Sequence, residues 1–591
     1  MASQPPLPLS EITDFAQAAR TEGLDAVVLI GQGGSSQAAM TLTKLYEVAA
    51  GGSSSVAFRT MDSLSPVFVN HILGSSDPAR TLYIVSSKSG TTIEIRMLER
   101  VVWRYVAAHL GSSAAAKRFV AITDPGSPLV DLARDKHYRL TLPGPVDVGG
   151  RFSALSVFAL LPAALVGIDI CAALAMASLT EAQCREDSAD NPAIQLACFL
   201  YEGYLAGRDK FSLVMPSSGQ VLGLWIEQLI AESLGKQGVG ILPYVEVDAS
   251  VLSVPLADRS VITYAVGKAD GFVESLKSID PAIPRLDMVI DDPIETFSNF
   301  VIWEHATVFL SILMNVFPFD QPDVELTKTI VKSMLGGGEE TEAAVDGSAV
   351  TEQSATAAQQ QPGVGQADTE AQQQPAAAAQ QQPTAVQQQP ATATLHQPAA
   401  ALDSLASVYR EVYCEEPLHS QLRVSQSALM AAGIPLDCPD SDLGLDFLLR
   451  SLLASIKPGD YFALNAFLPF RGIGRREALE RMRHRVATRL SVASCLEIGP
   501  RYLHSTGQLQ KGGSNNGVFL IVSANEIDDL VIPGERLTLG TLVATQARAD
   551  FVALAARERR AVHVHLVDNN AEILSDFADR LCTAVSAVYV R

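Results

Sequence analysis

The sequence has few cysteines and a shortage of positive charge. Its 591 residues carry 44 Lys and Arg against 65 Asp and Glu, a formal net charge of −21. A chain this acidic repels nucleic acid and anionic lipid, so neither is expected as a partner. The seven cysteines form no Cys-x-x-Cys pair and no metal-ligand spacing, and their odd number suits a reducing compartment better than a disulfide framework. We therefore expect a cytoplasmic protein.

No segment has the pattern of a secretory signal or of a clear membrane span. The N-terminal residues lack a basic start followed by an apolar core. The longest apolar stretch, residues 154–179, is long enough to cross a bilayer, but it carries Pro162 and Asp169 near its middle. We predict a pair of buried helices there, and a soluble protein with no membrane partner.

One segment lacks almost all aromatic and branched aliphatic side chains. From Gly336 to about Pro398 the chain is first acidic and Gly-rich and then built from repeated QQQP and alanine units. Such a composition cannot bury enough apolar surface to offset the entropy lost on ordering. We predict a flexible, disordered linker over residues 336–400.

Short apolar runs alternate with helical patterns on both sides of this linker. Strand-like runs at 26–34, 81–90 and 118–126 each end in a turn rich in Gly, Ser or Asp, and a similar set begins near residue 209. This alternation predicts parallel sheets with helices on both faces. The predicted fold class is α/β, with two doubly wound parallel-sheet domains and a smaller C-terminal α/β domain, over residues 1–185, 186–335 and 401–591.

Two turns that follow predicted strands have the composition of anion sites. Residues 31–36 (GQGGSS) place glycines, which permit close backbone approach, at the start of a helix. Residues 86–92 (SSKSGTT) place hydroxyls and one ammonium at a second helix N-terminus. Backbone amides, hydroxyls and a helix dipole together suit a phosphate monoester. The first turn alone is a weak signal, because it has neither dinucleotide nor P-loop spacing, but the second has more hydroxyls than a helix cap needs.

Three further segments contain side chains that could act on a sugar phosphate. Taken singly, each is at least as consistent with a structural or surface role. They are GGRFS with Arg151, the helical face shared by Gln228 and Glu232, and FDQPDVELTK with Gln321 and Lys328.

These segments and SSKSGTT occur in the same order as in phosphoglucose isomerases, and the spacing from Gln321 to Lys328 also matches that family. Over roughly residues 20–335 the chain therefore resembles a glucose-6-phosphate isomerase built from two sugar-isomerase (SIS) domains. Residues 499–520 (GPRYLHSTGQLQKGGSNNGVFL) resemble the C-terminal part of the isomerase half of bacterial bifunctional transaldolase/phosphoglucose isomerases. No transaldolase barrel pattern precedes the isomerase pattern, so no transaldolase activity is expected.

The resemblance implies binding roles for the matched residues. In the family, the hydroxyl-rich turn holds the sugar phosphate, the glycine turn lies beside the sugar, and two glutamines contact the substrate. The corresponding positions here are Ser87, Lys88, Ser89 and Thr92, then Gly34 and Ser35, then Gln228 and Gln321.

The resemblance also implies catalytic roles. Glu232 matches the base that moves a proton between C1 and C2, and Arg151 matches the arginine beside the developing cis-enediolate. Lys328 matches a lysine that helps to open the pyranose ring. No metal or organic cofactor is implied, because the substrate's own carbonyl acidifies the proton. The implied partner is a small sugar phosphate, and a homodimer is possible because many members complete the site with a second subunit.

The chain departs from the family pattern at the ring-opening histidine. The family places that residue between the glutamate and the final lysine motif, where this chain has only His305, on an apolar helical stretch that favours a structural role. His504 is the better candidate, because polar residues surround it ahead of a glycine pair. Its use would require the C-terminal domain to fold back over the sheet edges. His563 and His565 alternate along a predicted strand and are interpreted as structural.

Three functions remain open on the sequence alone. The favoured one is interconversion of glucose 6-phosphate and fructose 6-phosphate, in glycolysis and gluconeogenesis. The second is a non-catalytic sugar-phosphate sensor, which would not need Glu232, Arg151 and Lys328. The third is dual phosphoglucose and phosphomannose isomerase activity, which depends on the space around C2.

Overall fold

Three separate sheets, each flanked by helices, lie within the part of the chain that the structure describes. The computed structural model describes residues 9–51, 56–246, 248–254, 256–267, 270–336, 406–413, 417–469 and 474–588. Apart from Gly336, the predicted linker at 336–400 lies outside the described residues.

The first sheet has five parallel strands in the order β2-β1-β3-β4-β5. Every residue of β1, β3 and β4 is buried, as expected for strands that helices cover on both faces. The strands are β1 Ala26–Ile30, β2 Ala57–Met61, β3 Thr81–Ser86, β4 Phe119–Thr123 and β5 Leu140–Pro143. The helices up to residue 205 are α1 Leu9–Thr21, α2 Gln37–Ala49, α3 Pro66–Gly74, α4 Ile93–Leu110, α5 Ser112–Ala116, α6 Pro128–Asp135, α7 Val157–Val166, α8 Ile170–Cys184 and α9 Pro192–Leu205.

The apolar stretch at 154–179 forms α7 and most of α8, so the predicted pair of helices is present, but α8 is buried on one face only and exposes Leu179. Helix α7 is buried along its whole length and ends where Gly167 adopts a left-handed φ of 104°. Asp169 then starts α8, because its carboxylate accepts hydrogen bonds from the N–H groups of Cys171 and Ala172, each at 3.0 Å. Among the described residues, no helix is both long enough and apolar enough to cross a membrane.

The second sheet has four parallel strands in the order β7-β6-β8-β9. Its central strand β6 is fully buried and leads into α10, the helix that carries Gln228 and Glu232. The strands are β6 Lys210–Val214, β7 Leu242–Glu246, β8 Arg259–Val266 and β9 Arg285–Ile290. The helices are α10 Gln220–Leu234, α11 Asp270–Ser275, α12 Glu295–Leu313 and α13 Pro322–Gly336.

The third sheet, in the C-terminal domain, has six strands in the order β10-β11-β15-β14-β12-β13. Strands β12 to β15 are parallel and repeat the arrangement of the other two sheets, whereas β11 is antiparallel both to β15 and to the edge strand β10. The sequence predicts that the C-terminal domain is a smaller one, but its sheet has six strands, more than either of the other two sheets. The strands are β10 Tyr409–Val412, β11 His419–Ser425, β12 Tyr461–Phe467, β13 Ala493–Ile498, β14 Gly517–Ala524 and β15 Arg560–Leu566. The helices are α14 Gln426–Ala431, α15 Leu445–Ala454, α16 Arg475–Leu490, α17 Gly507–Gly512, α18 Leu539–Ala556 and α19 Ala571–Ala587.

A buried ion pair fixes the C-terminal domain against the second domain. Two guanidinium nitrogens of Arg483, on α16, lie 3.0 and 3.1 Å from the two carboxylate oxygens of Glu246, at the end of β7. Both residues are almost fully buried. The geometry is the bidentate one that makes arginine–carboxylate pairs strong and directional.

Helix α17 lies against the turn that follows α10. A Cβ atom at Gly235 would be 2.4 Å from the Cα of Leu509, so the two backbones meet only because residue 235 is glycine. The side-chain oxygen of Gln508 accepts hydrogen bonds from the N–H groups of Asp323, at 2.9 Å, and Val324, at 3.2 Å. Gln508 thereby caps the start of α13, which places the segment at 499–520 beside the second domain.

Candidate active site

The glycine turn after β1 is in close backbone contact with the segment that carries Arg151. A Cβ atom at Gly34 would lie 2.1 Å from the carbonyl carbon and oxygen of Gly150, and 2.7 Å from the backbone nitrogen of Arg151. The hydroxyl of Ser86, at the end of β3, donates to the Ser35 carbonyl at 2.8 Å. The two predicted turns and the arginine segment therefore meet at the carboxyl edge of the first sheet, where doubly wound folds bind ligands.

The hydroxyl-rich turn after β3 leads into α4. The hydroxyl of Ser87 donates to that of Thr92 at 3.2 Å, and the hydroxyls of Ser89 and Thr91 are 2.9 Å apart. Thr92 precedes the first residue of α4, and its side chain makes no capping hydrogen bond. Hydroxyls and uncapped backbone N–H groups at a helix N-terminus are donors for an anion.

Lys88 differs from the other residues of this turn, because its ammonium is already fully engaged. It donates to both carboxylate oxygens of Asp124, at 2.7 and 2.8 Å, and to the Pro145 carbonyl at 2.7 Å. These three bonds use its three donors. A phosphate contact from Lys88 would require the side chain to leave Asp124.

Glu232 lies beside Gln228 and Arg151 in a mostly buried cluster. The amide nitrogen of Gln228 donates to Glu232 Oε2 at 3.1 Å, as expected for two residues one helical turn apart on α10. A guanidinium nitrogen of Arg151 is 3.4 Å from Glu232 Oε1, and the exposed fractions of the two side chains are 4% and 11%. The Glu232 carboxylate is thus in contact with the fixed positive charge of Arg151, and both groups are largely shielded from solvent.

Arg151 is held by the segment that contains the predicted residue Gln321. Its side chain donates to the Ser233 hydroxyl at 2.8 Å, to Gln321 Oε1 at 3.1 Å and to the Asp320 carbonyl at 2.9 Å. Lys236, one turn beyond Glu232, binds the Asp320 carboxylate at 2.6 Å. These bonds fix the guanidinium before any substrate binds.

His504 reaches this cluster from the C-terminal domain. A Cβ atom at Gly33 would be 2.9 Å from Gln228 Nε2 and 3.0 Å from His504 Cβ, so both residues lie against the glycine turn. The Nε2 atom of His504 is 3.4 Å from the Glu94 carboxylate, which also accepts from Gln546 at 2.5 Å. The C-terminal domain therefore does pack over the edge of the first sheet.

The sequence prediction did not include Glu94. It lies two residues after Thr92 on the first turn of α4, and its closeness to the hydroxyl-rich turn is the only feature of the sequence that could have marked it as a site residue. Burial opposes ionisation of Glu94, but the charge of His504 and the hydrogen bonds from His504 and Gln546 outweigh it and lower the pKa of this carboxyl. A carboxylate bonded to one imidazole nitrogen fixes the orientation of the ring.

Lys328 is not brought together with the other predicted residues. It lies on the exposed face of α13, where its ammonium pairs with Glu325 at 2.6 Å. His305 bonds the Val301 carbonyl within α12 at 2.9 Å and lies in none of the contacts described above. His563 and His565 are buried in the third sheet, both bonded to the Ser523 hydroxyl, and burial lowers the pKa of His565 to about 4.

The model of the family described as phosphoglucose isomerase matches residues 14–240. The chain is 32% identical over 239 residues to a glucose-6-phosphate isomerase of Rubrobacter xylanophilus, covering 39% of this chain and 55% of that protein. It is 30% identical over 361 residues to a probable glucose-6-phosphate isomerase of Haloarcula marismortui, covering 54% of this chain and 80% of that protein. A solved glucose-6-phosphate isomerase of Chlamydia trachomatis is 21% identical, with a TM-score of 0.48, over 57% of this chain and 74% of that one.

The family match and the relatives from Rubrobacter xylanophilus and Haloarcula marismortui show that this protein is an enzyme of the sugar-phosphate isomerase class. Within that class, the chain belongs to the phosphoglucose isomerase family. The family predicted from the ordered motifs is thereby confirmed.

Proposed function

We propose that the protein interconverts glucose 6-phosphate and fructose 6-phosphate, and that Glu232 is the base. The observation that carries this proposal is the contact between the Glu232 carboxylate and the Arg151 guanidinium, beside the two turns suited to a phosphate. Membership of the phosphoglucose isomerase family supports the choice of substrate.

The proposed chemistry is a proton transfer between adjacent carbons. Glu232 removes the proton from C2 of the open-chain aldose, and the electron pair moves to give a cis-enediolate. The proton of the C2 hydroxyl is transferred to the C1 oxygen, and the Glu232 carboxyl returns a proton to C1, which leaves a hydroxyl on C1 and the carbonyl at C2. Arg151 stabilises the negative charge on the enediolate oxygens, because its guanidinium is held in place before the charge develops.

The hydroxyl-rich turn holds the phosphate in this proposal. Ser87, Ser89 and Thr92 supply hydroxyls, and the first turn of α4 supplies N–H groups and the positive end of a helix dipole. Gln228 and Gln321 orient the sugar, since each already bonds a catalytic side chain.

His504 is proposed to transfer the proton that opens the sugar ring, with Glu94 as its positioning residue. The Cβ atom of His504 lies against Gly33, on the side of the turn where Gln228 also lies. Lys328, at its exposed position on α13, would have to move to assist, so ring opening is assigned here to His504 alone.

The substitution His504→Asn is expected to lower kcat for the ring-closed substrate by about a hundredfold, because a positioned acid–base group typically contributes 10²–10⁴-fold. The matched control is His305→Asn, which removes the other candidate imidazole and is expected to leave kcat unchanged. Steady-state rates for both variants are the measurement. Loss of activity in the His305 variant alone would contradict the assignment.

A coupled assay tests the proposed function directly. Purified protein is given fructose 6-phosphate with glucose-6-phosphate dehydrogenase and NADP⁺, and NADPH is followed by its absorbance. Rapid NADPH formation is expected. Folded protein that binds fructose 6-phosphate but forms no NADPH would instead indicate the sugar-phosphate sensor.

A further inference from the structure

A cavity lies where edge strands of the three sheets converge. Its volume is about 570 Å³, and residues of β2, β7 and β13 line it together with α2, α10 and α16. Each of these three strands is at the end of its sheet, so no other strand of the described ranges covers its outer side. Lys44, Ser217 and Arg476 are exposed lining residues, so the cavity reaches the protein surface.

This cavity is distinct from the candidate active site. None of the residues assigned above to the phosphate, the sugar or the proton transfer lines it. Helix α10 forms the wall between them: Glu227 lines the cavity, while its neighbour Gln228 bonds Glu232 on the other side. A molecule in the cavity would therefore not occupy the sugar-phosphate site.

Most of the charges that line the cavity are paired with each other or with a neighbour. The ammonium nitrogen of Lys44 lies 2.9 Å from a carboxylate oxygen of Glu47, and a guanidinium nitrogen of Arg501 lies 3.4 Å from a carboxylate oxygen of Asp62. Glu480 and Arg483 form a third pair, in which Glu480 Oε2 lies 2.9 Å from Arg483 Nε. Arg483 also holds Glu246, as described above. These groups add little net charge to the cavity.

The charged lining residues outside these ion pairs give the cavity a net positive charge. The Glu227 carboxyl accepts a hydrogen bond from the Val245 N–H at 2.8 Å, and burial, with the nearby Glu497 carboxylate, raises its pKa well above the usual range. Within the described part of the chain, the side chain of Arg59, on β2, bonds only the Ser75 carbonyl, and neither Arg59 nor Arg476 has a carboxylate within ion-pair distance. Two arginines from different domains thus have no anionic partner among the residues that the structure describes.

The rest of the lining is largely apolar. It includes Phe58, Leu224, Leu479 and Ile498, from both the SIS-type domains and the C-terminal domain. Cavities of about 300–1,000 Å³ with apolar walls and a few placed charges are the usual form of small-molecule sites. Arginine is the side chain that best matches phosphate and carboxylate oxygens.

We infer that this cavity binds an organic polyanion with an apolar or aromatic body, the chemistry of a nucleotide. Arg59 and Arg476 bind the charged groups from two domains, and the apolar walls contact the body. Such a ligand links the first domain to the C-terminal domain across the edges of β2 and β13.

Calorimetric titration with ATP, without magnesium, tests the inference on the full chain. One equivalent of ATP is expected to bind, and saturating fructose 6-phosphate is expected not to displace it. Pyrophosphate, which has the charge without the body, is expected to bind at least tenfold more weakly. Absence of binding at millimolar ATP, displacement by fructose 6-phosphate, or equal binding of pyrophosphate would each overturn the inference.

Two arginine variants localise the site. Arg59→Ala and Arg476→Ala are each expected to weaken ATP binding at least tenfold, whereas Arg450→Ala, at an exposed position of α15 away from the cavity, is expected to have no effect. Arg476 is exposed, so its variant tests the site even if the half-buried Arg59 position does not tolerate alanine. Unchanged ATP affinity in the Arg476 variant would overturn the inference.

Discussion

Replacing Glu232 by glutamine is expected to lower kcat for isomerisation by about 10²–10⁴-fold, the usual contribution of a positioned acid–base group. The amide has the size of the carboxyl and can still meet Gln228 and Arg151, so the fold should be retained. The amide cannot, however, accept a proton from carbon as the carboxylate does. The measurement is the steady-state rate in the coupled assay, with circular dichroism to establish that the variant is folded.

A second readout separates this role from a general loss of activity. Exchange of the C2 proton of glucose 6-phosphate with deuterated water, followed by NMR, requires the base and should disappear in Glu232→Gln. The control is Glu99→Gln, because Glu99 is similarly buried but bonds Lys136 and Tyr138 away from the site. That variant is expected to lose some stability and to retain exchange. Normal exchange in the Glu232 variant would remove Glu232 as the base.

The substitution Gly34→Ala should disrupt the site through the backbone alone. The added Cβ would lie 2.1 Å from the carbonyl carbon and oxygen of Gly150, and backbone atoms cannot rotate away as a side chain can. Overpacking of this kind typically costs about 1–3 kcal/mol and can cost more. The Arg151 segment must move from the glycine turn, so we expect both a lower free energy of unfolding and a large loss of kcat/KM.

Gly150 offers a matched control on the other side of the same contact. A Cβ atom there would have the Gly34 Cα, at 4.0 Å, as its nearest neighbour, which is an ordinary van der Waals distance. Gly150→Ala is therefore expected to change stability and kcat/KM much less. Denaturant unfolding and steady-state kinetics of both variants are the measurements. Equal effects of the two alanines would show that the close approach at Gly34 is unimportant.

The local parts of the site could be predicted from the sequence because they depend on neighbours in the chain. Strand-then-turn patterns located the ends of β1 and β3, and the spacing of four placed Gln228 and Glu232 on one face of α10. The strand-like runs predicted at 26–34, 81–90 and 118–126 contain β1, β3 and β4. In each case the structure is determined by interactions between residues that are close in the sequence.

What the sequence could not show are contacts between distant segments. The match to the family implied a site role for Lys328 but not the direction of its side chain, which the packing of α13 turns towards solvent. Glu94 gains its role only because Gln546 and His504, more than four hundred residues further along, pack against it. The cavity between the three sheet edges likewise exists only once all three domains have packed together.

The position of His504 also affects how the protein is made. Between Gly336, at the end of α13, and His504 lie 504 − 336 = 168 residue steps, and a ribosome that adds roughly 5–20 residues per second needs about 8–34 s for that distance. Throughout this interval the first two domains can fold, but the surface around Gly235 that Leu509 covers in the finished protein has no partner. Each nascent chain therefore passes through a long-lived stage with an uncovered docking face, which is the kind of surface that chaperones bind and that promotes aggregation.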